Sequence, residues 1–151
     1  MPEQYTEYAF ETAIEHHLTA TGGYEKGNRD TFDTACGLFP YDVIAFIKAT
    51  QPREWEYLAN IQKEKTEETL LDNLCRALNS EHEGCLSVLR HGFKCFGRLF
   101  HIAYFAPASR MNPETQKLYA ANPLTITRQL RYSAKHGNTL DLSRLRSTRR
   151  V

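Results

Sequence analysis

Three carboxylates in this 151-residue chain have the types and spacing to do chemistry together. Glu7 and Glu11 lie one turn apart on a stretch that reads as a helix, so both can face the same way. Asp141 stands between two leucines, in Asn138-Thr139-Leu140-Asp141-Leu142, just after a strand-like run over residues 124–132. Apolar neighbours at the end of a strand are a common way to present an acidic metal ligand. Two or three carboxylates converging on a divalent ion are the minimal apparatus for hydrolysing a phosphodiester, because the metal polarises the phosphate and lowers the pKa of a bound water. The same residues have plainer readings as solvated helix-face glutamates and a turn-forming aspartate.

Other chemistries are excluded more simply. Gly22 and Gly27 have the glycine spacing of a phosphate-binding loop, but Asn28-Arg29 stands where a lysine and a hydroxyl residue must be. There is no H-E-x-x-H, no G-x-S-x-G and no ordered Cys/His pair that would argue for a nucleophile. Cys36, Cys75, Cys85 and Cys95 form no C-x-x-C, and His16, His17, His82, His91, His101 and His136 do not fall at zinc-ligand spacing around them. Reduced thiols are the expectation. The opening Met1-Pro2-Glu3-Gln4-Tyr5 lacks the basic start and apolar stretch of a signal peptide, and no apolar run approaches the roughly 18 residues of a membrane span. A cytoplasmic location with no membrane partner follows as the expectation.

The elements that must position these groups are ordinary in composition, with 41% hydrophobic and 25% charged residues. The length fits one domain, burying roughly 70% of its unfolded surface. Charge is unevenly divided. Residues 1–83 carry 16 acids and 7 bases, net −9, whereas residues 84–151 carry 2 acids and 12 bases, net +10. Such asymmetry hints at nucleic-acid contact by the basic part, the plain alternative being solvated helix faces.

The first half reads as helical. Phe10, Ala13, Ile14, His17 and Leu18 recur at helical spacing, and Gly22-Gly23 ends that helix. A Gly/Asn/Asp-rich loop is expected to Asp33. Pro40 and Pro52 open two further helices, and Leu70, Leu71, Leu74, Ala77 and Leu78 mark a fourth. From Gly84 the pattern changes. Residues 87–89 are a short strand candidate, His91-Gly92 a turn, and residues 99–105 a β-prone run closed by Pro107. A polar connection then leads to a strand from Leu124, with Ile126, Leu130 and Tyr132 on one face and Thr125, Thr127, Gln129 and Arg131 on the other. Arg128 falls on the apolar face, where an arginine seeks a carboxylate or a phosphate unless an edge strand lets it out to solvent. Helices first and strands later give an α+β layout.

Several segments together resemble the N-terminal region of the restriction (R) subunit of type I restriction–modification enzymes. They are Thr6-Glu7-Tyr8-Ala9-Phe10-Glu11 with Gly23-Tyr24, Leu38-Phe39-Pro40 through Phe46, and Thr50-Gln51-Pro52-Arg53-Glu54-Trp55. Val88-Leu89-Arg90-His91-Gly92-Phe93, Tyr104-Phe105-Ala106-Pro107, Asn122-Pro123-Leu124 and Thr127-Arg128-Gln129-Leu130 continue the pattern, and residues 138–142 match the approach to that family's nuclease site. The likeness covers residues 5–142. It implies a PD-(D/E)xK nuclease, a helical half followed by an incomplete restriction-endonuclease-like mixed sheet. Asp141 takes the aspartate's place, Glu11 is the first choice and Glu7 the second for a helix-borne metal ligand, and Mg2+ is the implied ion. Arg128, Arg131 and Lys135 are the implied phosphate contacts. The implied partners are DNA and the methylation and specificity subunits, with ATP used only by motor domains that this chain lacks.

The likeness also has a gap. Nowhere do Glu or Asp precede Lys by two positions, so the E-x-K that supplies a second ligand and a water-positioning lysine has no counterpart. Residues 1–142 are therefore expected to be a partial nuclease domain and residues 143–151 a divergent arginine-rich tail, consistent with a frameshift or early stop near Ser143. DNA binding and metal-dependent cleavage are implied for the parent enzyme, and the expectation for this chain alone is loss of cleavage. The alternative is a non-catalytic DNA-binding or subunit-assembly module.

Overall fold

The structure, a computed structural model, describes residues 6–131, 135 and 139–146, the last segment by its backbone course. It is an α+β protein with a small mixed sheet, and its chain falls into two compact units. The first joins the residues up to Leu38 with Pro123–Arg146, and the second is Phe39–Asn122.

In the first unit, helix α1 (Glu7–Ala20) starts where the Thr6 hydroxyl accepts from the Ala9 N–H at 3.2 Å. It ends at Thr21, with Gly23 following at φ +71. Strand β1 (Glu25–Lys26) runs parallel to β4 (Leu124–Arg131), and β5 (Thr139–Arg146) runs antiparallel to β4 on its other side. The order β1-β4-β5 makes β4 the middle strand. Tyr24, Leu124 and Ile126 form a core against which Ile14 and Leu18 of α1 pack.

This arrangement corrects the expected helix face. Phe10 is 68% exposed and Ala13 and His17 are exposed, whereas Glu11 is the buried residue of α1. Hydrophobic spacing cannot see that a glutamate will be drawn inward by a waiting arginine. The loop expected over residues 22–33 contains β1 and a 3-10 turn at Arg29–Thr31. Gly27 donates to the Ile126 carbonyl at 2.8 Å and lies so close to the Thr127 hydroxyl that a Cβ there would collide with it.

The second unit holds α2 (Pro40–Thr50), α3 (Pro52–Gln62), α4 (Thr66–Leu78) and α5 (Gly84–His91), then the β2 (Phe93–Cys95) and β3 (Arg98–Phe100) hairpin and α6 (Pro113–Ala120). Its buried residues include Ile47, Leu58, Leu70, Leu74, Val88, Phe93 and Phe100. The hairpin turns on Phe96 and Gly97, both at positive φ, as a two-residue turn of this hand requires. Residues 87–89, expected as a strand, belong to α5, whose buried residue is Val88; three residues alone could not reveal the helix. Likewise α6 stands in the expected polar connection, capped by the Asn112 side chain on the Glu114 N–H and started by Pro113.

The β-prone run over residues 99–105 is a strand only as far as Phe100. Beyond it, buried side-chain amides pair with the backbone in place of a neighbouring strand. Gln51 holds His101, and Asn122 accepts from the Tyr104 N–H at 3.0 Å and donates to its carbonyl at 2.6 Å. Both amides directly precede a proline, whose ring pushes the residue before it toward extended geometry. The expectation of reduced thiols holds for Cys85, exposed, and Cys95, buried, and fails at Cys36 and Cys75, which are disulfide-bonded. Among the described residues no helix is long and apolar enough to cross a membrane.

Candidate functional site

The first unit contains a cleft of about 340 Å3 lined by Glu7, Tyr8, Glu11, Arg29, Arg128 and Gln129. Helix α1 supplies the first three residues and β4 the last two, while the 3-10 turn after β1 supplies Arg29.

Glu11 is at the centre of the cleft chemistry and is only 3% exposed. Its Oε2 accepts from Arg128 Nε at 3.1 Å and Nη2 at 3.0 Å, and its Oε1 accepts from Gln129 Nε2 at 2.9 Å. Arg128 Nη1 donates to the Thr12 hydroxyl at 3.1 Å, which itself donates to the Tyr8 carbonyl at 2.8 Å. The guanidinium also lies 4.6 Å from the centre of the Tyr8 ring. Partial desolvation works against its charge but is outweighed by the bond to and charge of Glu11, with Glu15 and Tyr8 adding to them, so its pKa is raised. A carboxylate this buried needs such a partner, since leaving it unpaired costs several kcal/mol.

Two successive strand residues ordinarily point to opposite faces. Arg128 and Gln129 nevertheless both reach Glu11. The reason is Gln129, which sits at φ +51, in the left-handed region that costs a non-glycine residue about 1–3 kcal/mol. Strict alternation on β4 therefore could not reveal Gln129 as part of the site.

The residues singled out from sequence are placed as follows. Glu7 and Glu11 share the cleft, as their one-turn spacing allows, with Glu7 exposed and Glu11 buried. Arg128 is brought to Glu11. At Arg128 the strand is paired with β5, while β1 reaches only Thr125 and Ile126, so it is the bond to Glu11 that turns the arginine inward. Arg131 and Lys135 are exposed and do not line the cleft. Asp141 is the third residue of β5 rather than the end of the preceding strand, and the backbone of residues 143–146, expected as a divergent tail, continues that strand. The register pairs Leu140 with Leu130 and Leu142 with Arg128, which sets Asp141 across from Gln129. Its side chain, Tyr132 and the tail from Ser147 lie outside the described residues.

Arg29, Tyr8 and Gln129 were missed by sequence reading. A signal existed only for Tyr8, which lies three residues before Glu11 and so shares its helix face. Among the described residues no group of three or more His, Cys, Asp or Glu side chains is placed to hold a metal ion. No protein-family model, no curated protein and no solved structure matches the chain.

Proposed function

We propose that the chain is the N-terminal region of the restriction subunit of a type I restriction–modification enzyme, acting on DNA. The single observation that carries this reading is the meeting of α1 and the sheet. Glu11 is bonded to Arg128 and Gln129 of the middle strand, and the neighbouring strand sets Asp141 across from Gln129. This reading is supported by the backbone course that carries Asp141 past Gln129, in a unit that also holds the basic residues Arg29, Arg128 and Arg131.

The described residues do not fit a magnesium ion as they stand. Such an ion needs open carboxylate oxygens at about 2.0–2.1 Å, and both Glu11 oxygens already accept hydrogen bonds from Arg128 and Gln129. Magnesium and the methylation and specificity subunits are thus carried by the sequence resemblance, as is the ATP of motor domains outside this chain. Because no E-x-K occurs in these residues, the chain by itself binds DNA without cutting it.

A second reading, a non-catalytic DNA-binding or subunit-assembly module, is favoured by the paired state of Glu11. A supercoiled-plasmid nicking assay with magnesium, run beside a DNA-binding titration, tests both. Binding without nicking is expected. Robust nicking abolished in Asp141→Ala would overturn the inactive-fragment reading. No binding at low salt would leave only the assembly module.

A further inference from the structure

The cleft contains an arginine that neither its sequence context nor the resemblance assigns, and a carboxylate whose role the geometry redefines. Resting on the reading that DNA is the ligand, we infer that the cleft grips a phosphodiester between Arg29 and Arg128, with Glu11 as the residue that positions Arg128 rather than a metal ligand.

The geometry of Arg128 carries the first half. A guanidinium has five N–H groups. Two donate to Glu11 and one to Thr12, and the Tyr8 ring supports its face, so the side chain is fixed. Two N–H groups are left, on a side chain that retains 18% of its exposure and lines the cleft. An arginine fixed in this way donates to a phosphate oxygen with little further loss of side-chain freedom.

Arg29 carries the second half. It is exposed, lines the same cleft, and has no salt bridge among the described residues. Its backbone is held in place rather than free. Gly27 is bonded to β4 and packed on Thr127, the Asn28 side chain accepts from the Asp30 N–H at 2.9 Å, and Phe32 N–H donates to the Arg29 carbonyl at 3.3 Å. The other charges of the cleft are Glu7 and Glu11. Arg128 neutralises Glu11, and Glu7 lies on the exposed rim.

The test is a titration of the full chain with a fluorescent 20-base-pair duplex in EDTA, across a salt series. Arg29→Ala is expected to weaken binding about fivefold at low salt and to lower the slope of log affinity against log salt by about 0.9, one phosphate contact. Glu11→Gln gives the decisive sign: loss of a mere negative charge would tighten binding, whereas loss of the positioning carboxylate weakens it and leaves the slope unchanged, since no cation is removed. With metal chelated, a metal-ligand role for Glu11 predicts no weakening. Circular dichroism of each variant separates these effects from unfolding, and an Arg128→Lys variant that is folded but still weakened supports the fixed fork over a point charge.

Wild-type chain that fails to bind duplex at low salt overturns the DNA reading and this inference with it. Wild-type binding with Arg29→Ala unaffected, or matched by Arg76→Ala on the exposed face of α4, overturns this inference alone. Displacement of the duplex by millimolar sodium phosphate, but not by sodium chloride of equal ionic strength, would assign the cleft to free phosphate and overturn it too.

Discussion

Gln51 holds His101 by both of its backbone groups: the amide Nε2 donates to the His101 carbonyl at 2.7 Å, and Oε1 accepts from the His101 N–H at 2.7 Å. Gln51 is 5% exposed, so little water competes for either bond. Replacing it by leucine keeps the volume and strands a donor and an acceptor. The expected loss is about 2–4 kcal/mol, from two bonds and the desolvated groups left behind. Urea denaturation of Gln51→Leu checks it, and a loss under 1 kcal/mol would mean that water replaces the amide readily.

His101 should also report its surroundings through pH. Burial lowers its pKa from the usual 6.5, and the nearby negative charge of Glu54 only partly offsets this. The unfolded chain therefore takes up this proton before the folded chain does. The contribution of the neutral imidazole is fully present above 6.5 and is lost as pH falls from there through the folded value. NMR titration should show the His101 ring protons moving at a midpoint below 6.5; a midpoint above it would reverse the sign.

The Glu11–Arg128 pair predicts a double-mutant cycle with strong coupling. Removing either partner alone, in Glu11→Leu or Arg128→Met, is expected to cost about 3 kcal/mol, because the other charge is left largely buried and unpaired. The double variant should recover most of that loss. Chemical denaturation of all four proteins decides, and additive losses would show that the pair contributes little mutual stabilisation.

Gln129 offers a test that inverts the usual strand preference. At φ +51 a glycine is relaxed where alanine is strained, and both lose the bond to Glu11. Gln129→Gly is thus expected to be more stable than Gln129→Ala by about 1 kcal/mol. An order following strand propensity, with alanine ahead, would argue that β4 straightens in the variants.

Thr127 is 1% exposed, and its hydroxyl finds no hydrogen-bond partner among the described residues. Thr127→Val is expected to raise stability by about 1 kcal/mol, since a methyl replaces an unsatisfied hydroxyl of similar shape. Gly27→Ala should lower it by about 1–3 kcal/mol through the collision with residue 127. Thermal unfolding of the two variants reads both signs.

The sequence shows some of this plainly and hides the rest for definable reasons. Helices α2 and α3 announce themselves through Pro40 and Pro52 followed by apolar spacing, and β4 through its β-prone run. The inward arginine at position 128 was legible as seeking a carboxylate or a phosphate unless it escaped to solvent, and of these the structure gives it the carboxylate of Glu11. Glu11 as the buried face of α1 was not, because an ion pair across 117 positions leaves no local pattern. Nor was the early end of the strand after Phe100, since the amides of Gln51 and Asn122 stand in for a partner strand that propensity alone would have supplied. The two-residue β1 is too short for any periodicity to mark it.

Strand β1 has a consequence for how the protein is made. Lys26 pairs with Ile126, a residue one hundred positions later. At roughly 5–20 residues per second, its parallel neighbour leaves the ribosome about 5–20 s after β1 itself. Through that interval α1 emerges with Glu11 awaiting its arginine, while every residue of Phe39–Asn122 is synthesised. The inserted unit can therefore finish folding before the unit that encloses it in sequence has begun, and a nascent chain stalled before Arg128 would carry α1 without its counter-charge.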